Sequence, residues 1–500
     1  MQYSLSPALA DFTTLFDKKT PQLVSATIIA DLETPVSAML KLQRIGEPCF
    51  LLESVLGGEN RGRYSIIGIK PDLYWRCRGA KAEINRKGTL LDKDFEEIKE
   101  NSLTSLKSLM RDCLLDIPEN LPPMAAGLIG YMGYDMVRLM ENLPDNNPDN
   151  IGLPDAYFMR PRIMIIFDSI KGELHIVAPL WKEHGFADAK TAYENLSALI
   201  ASIAHNLQTS LAAVTDGVHP ATSLQFSSNT TRAEYHQMVA EAKEYIMAGD
   251  IFQVVPSQRF SAKFDLPHFS LYRSLRHLNP SPFLFYLNFG NFSLIGSSPE
   301  ILVRLRDNVV TIRPIAGTRK RGANKAEDKK LAEDLLSDPK EISEHLMLLD
   351  LGRNDVGRVT KFGTVKVTEQ MTIENYSHVM HMVSNVEGEI DPKYDAIDAL
   401  IAGFPAGTVS GAPKIRAMEI IDELEKERRS FYGGCVGYFS ANGSMDTCIT
   451  LRTSLIKDGV VYAQAGGGVV ADSDPEAEYQ ESCNKARAII SAAEQAWRFQ

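Results

Sequence analysis

Residues 464–485 read QAGGGVVADSDPEAEYQESCNK, and they join a glycine run to the start of a helix. Three consecutive glycines at the end of an apolar strand let bare backbone amides approach an anion closely. Asp474-Pro475 then opens a helix on which Glu478, Glu481 and Lys485 share one face. Upstream, DPKEISEHLMLLDLGRND (338–355) repeats the device, with an Asp-Pro start followed by Glu341 and Glu344 three residues apart. Two helices offering paired carboxylates beside an anion cradle suit a Mg²⁺-dependent enzyme acting on a carboxylate substrate. Each half also has an ordinary reading. Glu341 is placed to return a capping-box hydrogen bond, and Glu481 with Lys485 has the spacing of a surface ion pair.

Around these helices the chain has the make-up of a globular enzyme. Its 500 residues are 44% hydrophobic and 23% charged, enough for a large core. The net charge of −11 argues against a nucleic-acid binder, and the densest basic run, KRGANKAEDKK (320–330), is mixed with acids. Six cysteines without CxxC spacing suit a reducing compartment. With no secretory pattern in MQYSLSPALADFTTLF and no apolar run of membrane-spanning length, a cytoplasmic location is expected.

Short β-like runs with turn signals dominate the first part, including the hairpin-like RPRIMIIFD and ELHIVAPLW. A polar, Ser/Thr-rich stretch over 205–229 reads as a linker between an N-terminal part (1–204) and a second part (230–500). In the second part a helix is expected to end near Gly249, followed by strands alternating with helices at 326–337, 339–353, 413–428 and 475–497.

Two further turns are anion-site candidates. PIAGTRKRG (314–322) presents Gly317 and Thr318 at a strand end, and FPAGTVSGAPK (404–414) gathers Thr408 and Ser410 before a helix start. Cys435 in GGCVG resembles a glutaminase nucleophile turn, but every histidine lies at or before His381, so the usual downstream base is missing. His381 sits on a Val/Met-rich strand, where a lone histidine is more often a hydrogen-bonded core residue than a base with the usual imidazole pKa.

Taken in order, GDIFQVVPSQRF (249–260), GSSPE (296–300), PIAGTR (314–319), EHLMLLDLGRNDVGRV (344–359), AGTVSGAPKIRAMEII (406–421) and AQAGGGVVADSDPEAEYQE (463–481) resemble the chorismate-utilising enzymes, and within them the anthranilate synthase component I branch. The resemblance implies an α+β fold with two β-sheets packed between helices and an interwoven N-terminal β-rich part. It implies a carbon–oxygen lyase that makes anthranilate and pyruvate from chorismate and ammonia. Glu344 and Glu481 would bind Mg²⁺ with Glu478 nearby. Gly317, Thr318, Tyr432, Arg452, Gly466, Gly467 and Gly468 would hold chorismate, and His381, Thr408, Glu341 and Lys485 would complete the catalytic pocket. Relatives with other products commonly carry a lysine just before the Gly-Thr pair; Ala316 here points to ammonia as the external nucleophile. A glutamine amidotransferase subunit would supply that ammonia. LLES (51–54), GRYSIIG (62–68) and NPSPFLFYL (279–287) resemble the family's L-tryptophan inhibitor site, with Ser54, Pro282, Phe283 and Leu284 lining it. An aminodeoxychorismate synthase subunit is disfavoured by Ala316. A non-catalytic tryptophan-sensing scaffold would have no reason to keep two acidic helices and a glycine cradle.

Overall fold

Two long strands, Tyr64–Arg78 and Ala156–Asp168, run antiparallel along each other, and their register breaks where Pro161 faces Pro71. Proline has no N–H to give a ladder, and Asp72 is the extra residue on its strand, so the pair bulges and bends there. Arg160 Nε (2.8 Å) and His184 Nε2 (2.6 Å) hold the Asp72 carboxylate, which fixes the bend. The computed structural model describes residues 3–44, 46–56, 60–211, 224–376 and 379–500.

On one side of the bend the strand pair continues through Cys49–Glu53, Phe283–Asn288, Phe292–Ser298, Thr453–Lys457, Val460–Gly466 and Ser257–Lys263. Past the bend it continues through Gly127–Met132, Cys435–Ser440, Met445–Ile449, Ile301–Arg306, Val309–Ile312 and Val379–Glu389. The strands therefore form one continuous antiparallel network that the bend divides into two sheets. N-terminal strands sit inside both halves, since Cys49–Glu53 pairs with Phe283–Asn288 and Gly127–Met132 with Cys435–Ser440. The N-terminal part is thus interwoven with the rest.

Alternation along the strands separates two cores. Phe285 and Leu287 face the space between the sheets with Phe50, Tyr131 and Val436, where Phe289 stacks on Tyr157 at 4.7 Å. Leu284 and Tyr286 face the other way, against helices Ala189–Leu207 and His268–Leu278 and the end of Pro475–Gln495. Burying both faces of these strands explains their nearly unbroken apolar sequence.

The structure departs from the sequence reading in places. Helix His268–Leu278 has no side-chain cap and is rich in aromatics, Ser and His, so it depends on burying Phe269, Leu271, Tyr272 and Leu275 rather than on propensity. Helix Ala396–Gly403 and strand Lys366–Asn375 also went unread. Helix Ala189–Leu207 runs into the expected linker, and Ser227–Ser228 pairs with Phe260 and Ser261; residues 212–223 of that stretch lie outside the described residues. All six cysteines are free thiols. Among the described residues no helix is long and apolar enough to cross a membrane.

Candidate active site

Both acidic helices start as their Asp-Pro pairs dictate. Asp338 accepts hydrogen bonds from the Lys340 and Glu341 N–H groups at the head of Pro339–Gly357, and Asp474 accepts from Ala477 N–H at the head of Pro475–Gln495. The capping-box reading of Glu341 is corrected here. Its carboxylate turns away from the helix start to Arg319 (2.9 Å), whose guanidinium also takes Asp338 (2.8 Å) and Asp334 (2.7 Å). Arg319 is two residues past Gly317, so this cluster ties the first acidic helix to the strand Ile315–Lys320.

One turn along, burial pushes the Glu344 carboxyl up. Gln253 Nε2 at 3.2 Å opposes that rise, as does Lys485, while Glu341 and Glu481 add to it. Glu478 is likewise raised by burial, against the Ser473 hydroxyl at 2.7 Å, with Glu481 adding to the rise. Carboxylates of the two helices therefore feel one another. The glycine run lies flush against them. A Cβ on Gly467 would come within 2.6 Å of Glu478 Oε2, one on Gly468 within 2.5 Å of Gln253 Nε2, and one on Gly466 within 2.3 Å of the Pro256 carbonyl. The Lys485–Glu481 ion pair forms at 2.7 Å with both side chains about half exposed, and Lys485 also donates to the Gly466 carbonyl at 3.1 Å.

Among the described residues no three His, Cys, Asp or Glu side chains are gathered closely enough, as they stand, to ligate an ion. The chemistry of the set nonetheless fits a hard cation. Glu478 Oε2 is buried without a hydrogen-bond partner, and Glu344, Glu478 and Glu481 crowd like charge that Lys485, and at Glu478 also Lys340, only partly offset. A divalent cation relieves both.

A second group of candidate residues gathers around Arg452 and His381. Arg452 has a left-handed φ of 48°, rare for a residue with a Cβ. No carboxylate among the described residues neutralises its guanidinium, whose pKa burial lowers. His381 Nδ1 lies 3.0 Å from Thr318 Oγ1 and 3.3 Å from the Gly317 carbonyl. A carbonyl only accepts, so Nδ1 carries the proton and Nε2 keeps a lone pair. Burial, and next Arg452, push His381 down to about 4, against the Gly317 hydrogen bond. The imidazole is therefore neutral at physiological pH, further below neutrality than the sequence suggested. Tyr432 is buried, with the Arg429 guanidinium 5.5 Å from its ring centroid and its hydroxyl toward the Gly466 N–H.

Two residues of this site were missed in the sequence. Glu300 closes the quoted GSSPE motif, and burial pushes its carboxyl up to about 8, against the Thr408 hydroxyl and the Ile315 N–H. It holds a proton at neutral pH. The available signal was an acid ending a run of small residues. Gln253 bridges the glycine run and Glu344; it lies in the quoted GDIFQVVPSQRF motif, but no charge or spacing there singles it out.

Ser54, Pro282, Phe283 and Leu284 line one cavity of about 650 Å³, joined by Glu53, Tyr438 and Asp446. Glu53 is held by Arg276 Nε (2.7 Å) and the Tyr272 hydroxyl (2.5 Å). Cys435 is buried on its strand and its thiol is pushed up to about 12 by burial, which leaves it inert as a nucleophile.

Comparison with known proteins matches residues 49–491 to the family model described as chorismate binding enzyme. Anthranilate synthase component 1 of Cereibacter sphaeroides is 57% identical over 478 residues, 96% of this chain and 95% of the relative. That of Acetivibrio thermocellus is 46% identical, with 95% of each chain covered. Among solved structures, anthranilate synthase component I from Streptococcus pneumoniae superposes with a TM-score of 0.77 at 37% identity, covering 86% of this chain and 92% of that one. The menaquinone-specific isochorismate synthase of Escherichia coli gives 0.71 at 20% identity, covering 97% and 99%, a likeness of fold alone.

Proposed function

The chain belongs to the chorismate-binding enzyme family, and from that premise we infer that it is the large, aminating subunit of a cytoplasmic anthranilate synthase. Chorismate and ammonia give anthranilate, pyruvate and water, the entry to tryptophan biosynthesis. The observation that carries this reading is the 57% identity to an anthranilate synthase component 1, sustained over 96% of the chain.

The substrate brings two carboxylates into the site. Arg452, which no carboxylate among the described residues neutralises, takes one, and Gly317 and Thr318 hold the same end. The amides of Gly466, Gly467 and Gly468, with Tyr432 and Lys485, receive the other. Glu344 and Glu481, with Glu478 beside them, would hold Mg²⁺, which when bound would supply positive charge to offset the substrate's negative charge. Amination and loss of the ring hydroxyl need a proton donor, and Glu300, kept protonated at neutral pH by burial, is suited to give its proton to the departing oxygen. Elimination of pyruvate then needs a base for one ring proton; the free Nε2 of neutral His381 suits that step. Glu341, engaged by Arg319, shapes the pocket wall.

Because Cys435 is buried and inert, ammonia comes from a glutamine amidotransferase subunit, and the cavity lined by Ser54, Pro282, Phe283 and Leu284 receives L-tryptophan as feedback inhibitor. Incubating the purified chain with chorismate, Mg²⁺ and an ammonium salt tests the reading: anthranilate fluorescence should rise, and chorismate left unchanged or turned into a non-fluorescent isomer would refute it.

A further inference from the structure

The cavity and the catalytic pocket share a wall. Arg313, Glu374 and Tyr376 line the cavity, and Ile315, which opens the strand carrying Gly317 and Thr318, lines it too. These residues form a linked set. Arg313 Nη2 donates to Glu374 Oε1 at 2.5 Å and to Glu369 Oε2 at 2.9 Å, and the Tyr376 hydroxyl donates to Glu374 Oε2 at 3.0 Å. On its other side the buried Tyr376 ring meets His381 edge to face, with centroids 5.3 Å apart and planes at 70°. Its hydroxyl also lies in the fields of Glu300 and Arg452.

His381 is thus steadied from two directions. Thr318 and Gly317 anchor Nδ1, and Tyr376 packs on the ring. Only the second support faces the cavity, and it ends in an ion pair that a zwitterionic amino acid can disturb, its carboxylate competing for Arg313 or its ammonium for Glu374. Resting on the reading of the cavity as a tryptophan site, we propose that Tyr376 is the positioning residue through which effector binding reaches His381, with the Arg313–Glu374 pair as its receiver. Ligand in the cavity re-aims the Tyr376 hydroxyl, the ring turns with it, and His381 loses one of its two supports. Effector and substrate then prefer different settings of one tyrosine, which is the differential contact an allosteric effect requires.

Reciprocal calorimetry on the full chain tests this, with L-tryptophan titrated in the presence of Mg²⁺, with and without saturating chorismate and without ammonia. In the wild type the two dissociation constants should differ about 5-fold or more. Tyr376→Phe keeps the ring on His381 but cuts the link to Glu374, and Glu374→Gln weakens the same link from the other end. Both variants should still bind L-tryptophan while the ratio falls toward one. A ratio equal to the wild type's in both variants overturns the proposal. A wild type that binds L-tryptophan without any dependence on chorismate overturns it as well, whereas a wild type that binds no L-tryptophan removes the effector reading beneath it.

Discussion

His381 and Glu300 divide the chemistry by environment. Burial acts on both, and it favours the neutral form of each, so one is an unprotonated base and the other a protonated acid at the same pH. His381→Met should slow the aromatising elimination about 10²–10⁴-fold and amination less, so that an aminated, non-aromatic intermediate accumulates in rapid-quench chromatography. Equal loss in both steps with no intermediate would reduce His381 to a positioning role. Glu300 also carries a stability signature. Its folded-state pKa of about 8 stands above its ordinary 4.5, so the folded chain retains a proton that the unfolded chain releases. That contribution is complete below the ordinary value and is lost as pH rises through about 8. Glu300→Gln should therefore flatten the fall of melting temperature across this window, and an unchanged slope would place the carboxyl in water. The resemblance offered His381, but the sequence was silent on its depressed pKa, since the causes, burial first and then Arg452 71 residues further along the chain, are set by the fold.

The two acidic helices and the glycine run between them act as one element. Gly467 has an ordinary backbone conformation, so alanine there is resisted only by Glu478 Oε2, 2.6 Å from the new Cβ. Gly467→Ala should raise the Mg²⁺ concentration needed for half-maximal activity about tenfold or more with unchanged helix content by circular dichroism. Glu481→Gln should abolish activity without unfolding the chain, because it removes charge from a site with few carboxylates. An unaltered Mg²⁺ titration in either variant would reduce this face to the surface ion pair that Lys485 and Glu481 make at 2.7 Å. These helices were legible because capping and i,i+3 spacing are local properties, and both Asp-Pro starts fall where they were expected. Glu341 was misjudged for the opposite reason. Its partner, Arg319, belongs to a strand 22 residues earlier, and no local rule couples them.

At the level of the whole molecule, the hairpin-like strands of the first part followed from strand runs and turn residues, and the α+β character from the family resemblance. The shared, bent strand pair did not, because Pro71 and Pro161 acquire meaning only when they face each other. The pairing of N-terminal strands with strands of the second part puts the cavity and the candidate catalytic face on one strand network. The isolated chain should use ammonium at alkaline pH but not glutamine, and a glutaminase subunit should restore glutamine use; robust glutamine turnover by the chain alone would overturn the assignment of Cys435 as inert. The central claim is the identity of the reaction, and ¹⁵N-ammonium with chorismate and Mg²⁺, followed by mass spectrometry, tests it most directly. The account predicts ¹⁵N-labelled anthranilate with one pyruvate released for each chorismate consumed; a 4-amino product that retains its pyruvyl group, or an unlabelled hydroxylated isomer, would contradict it.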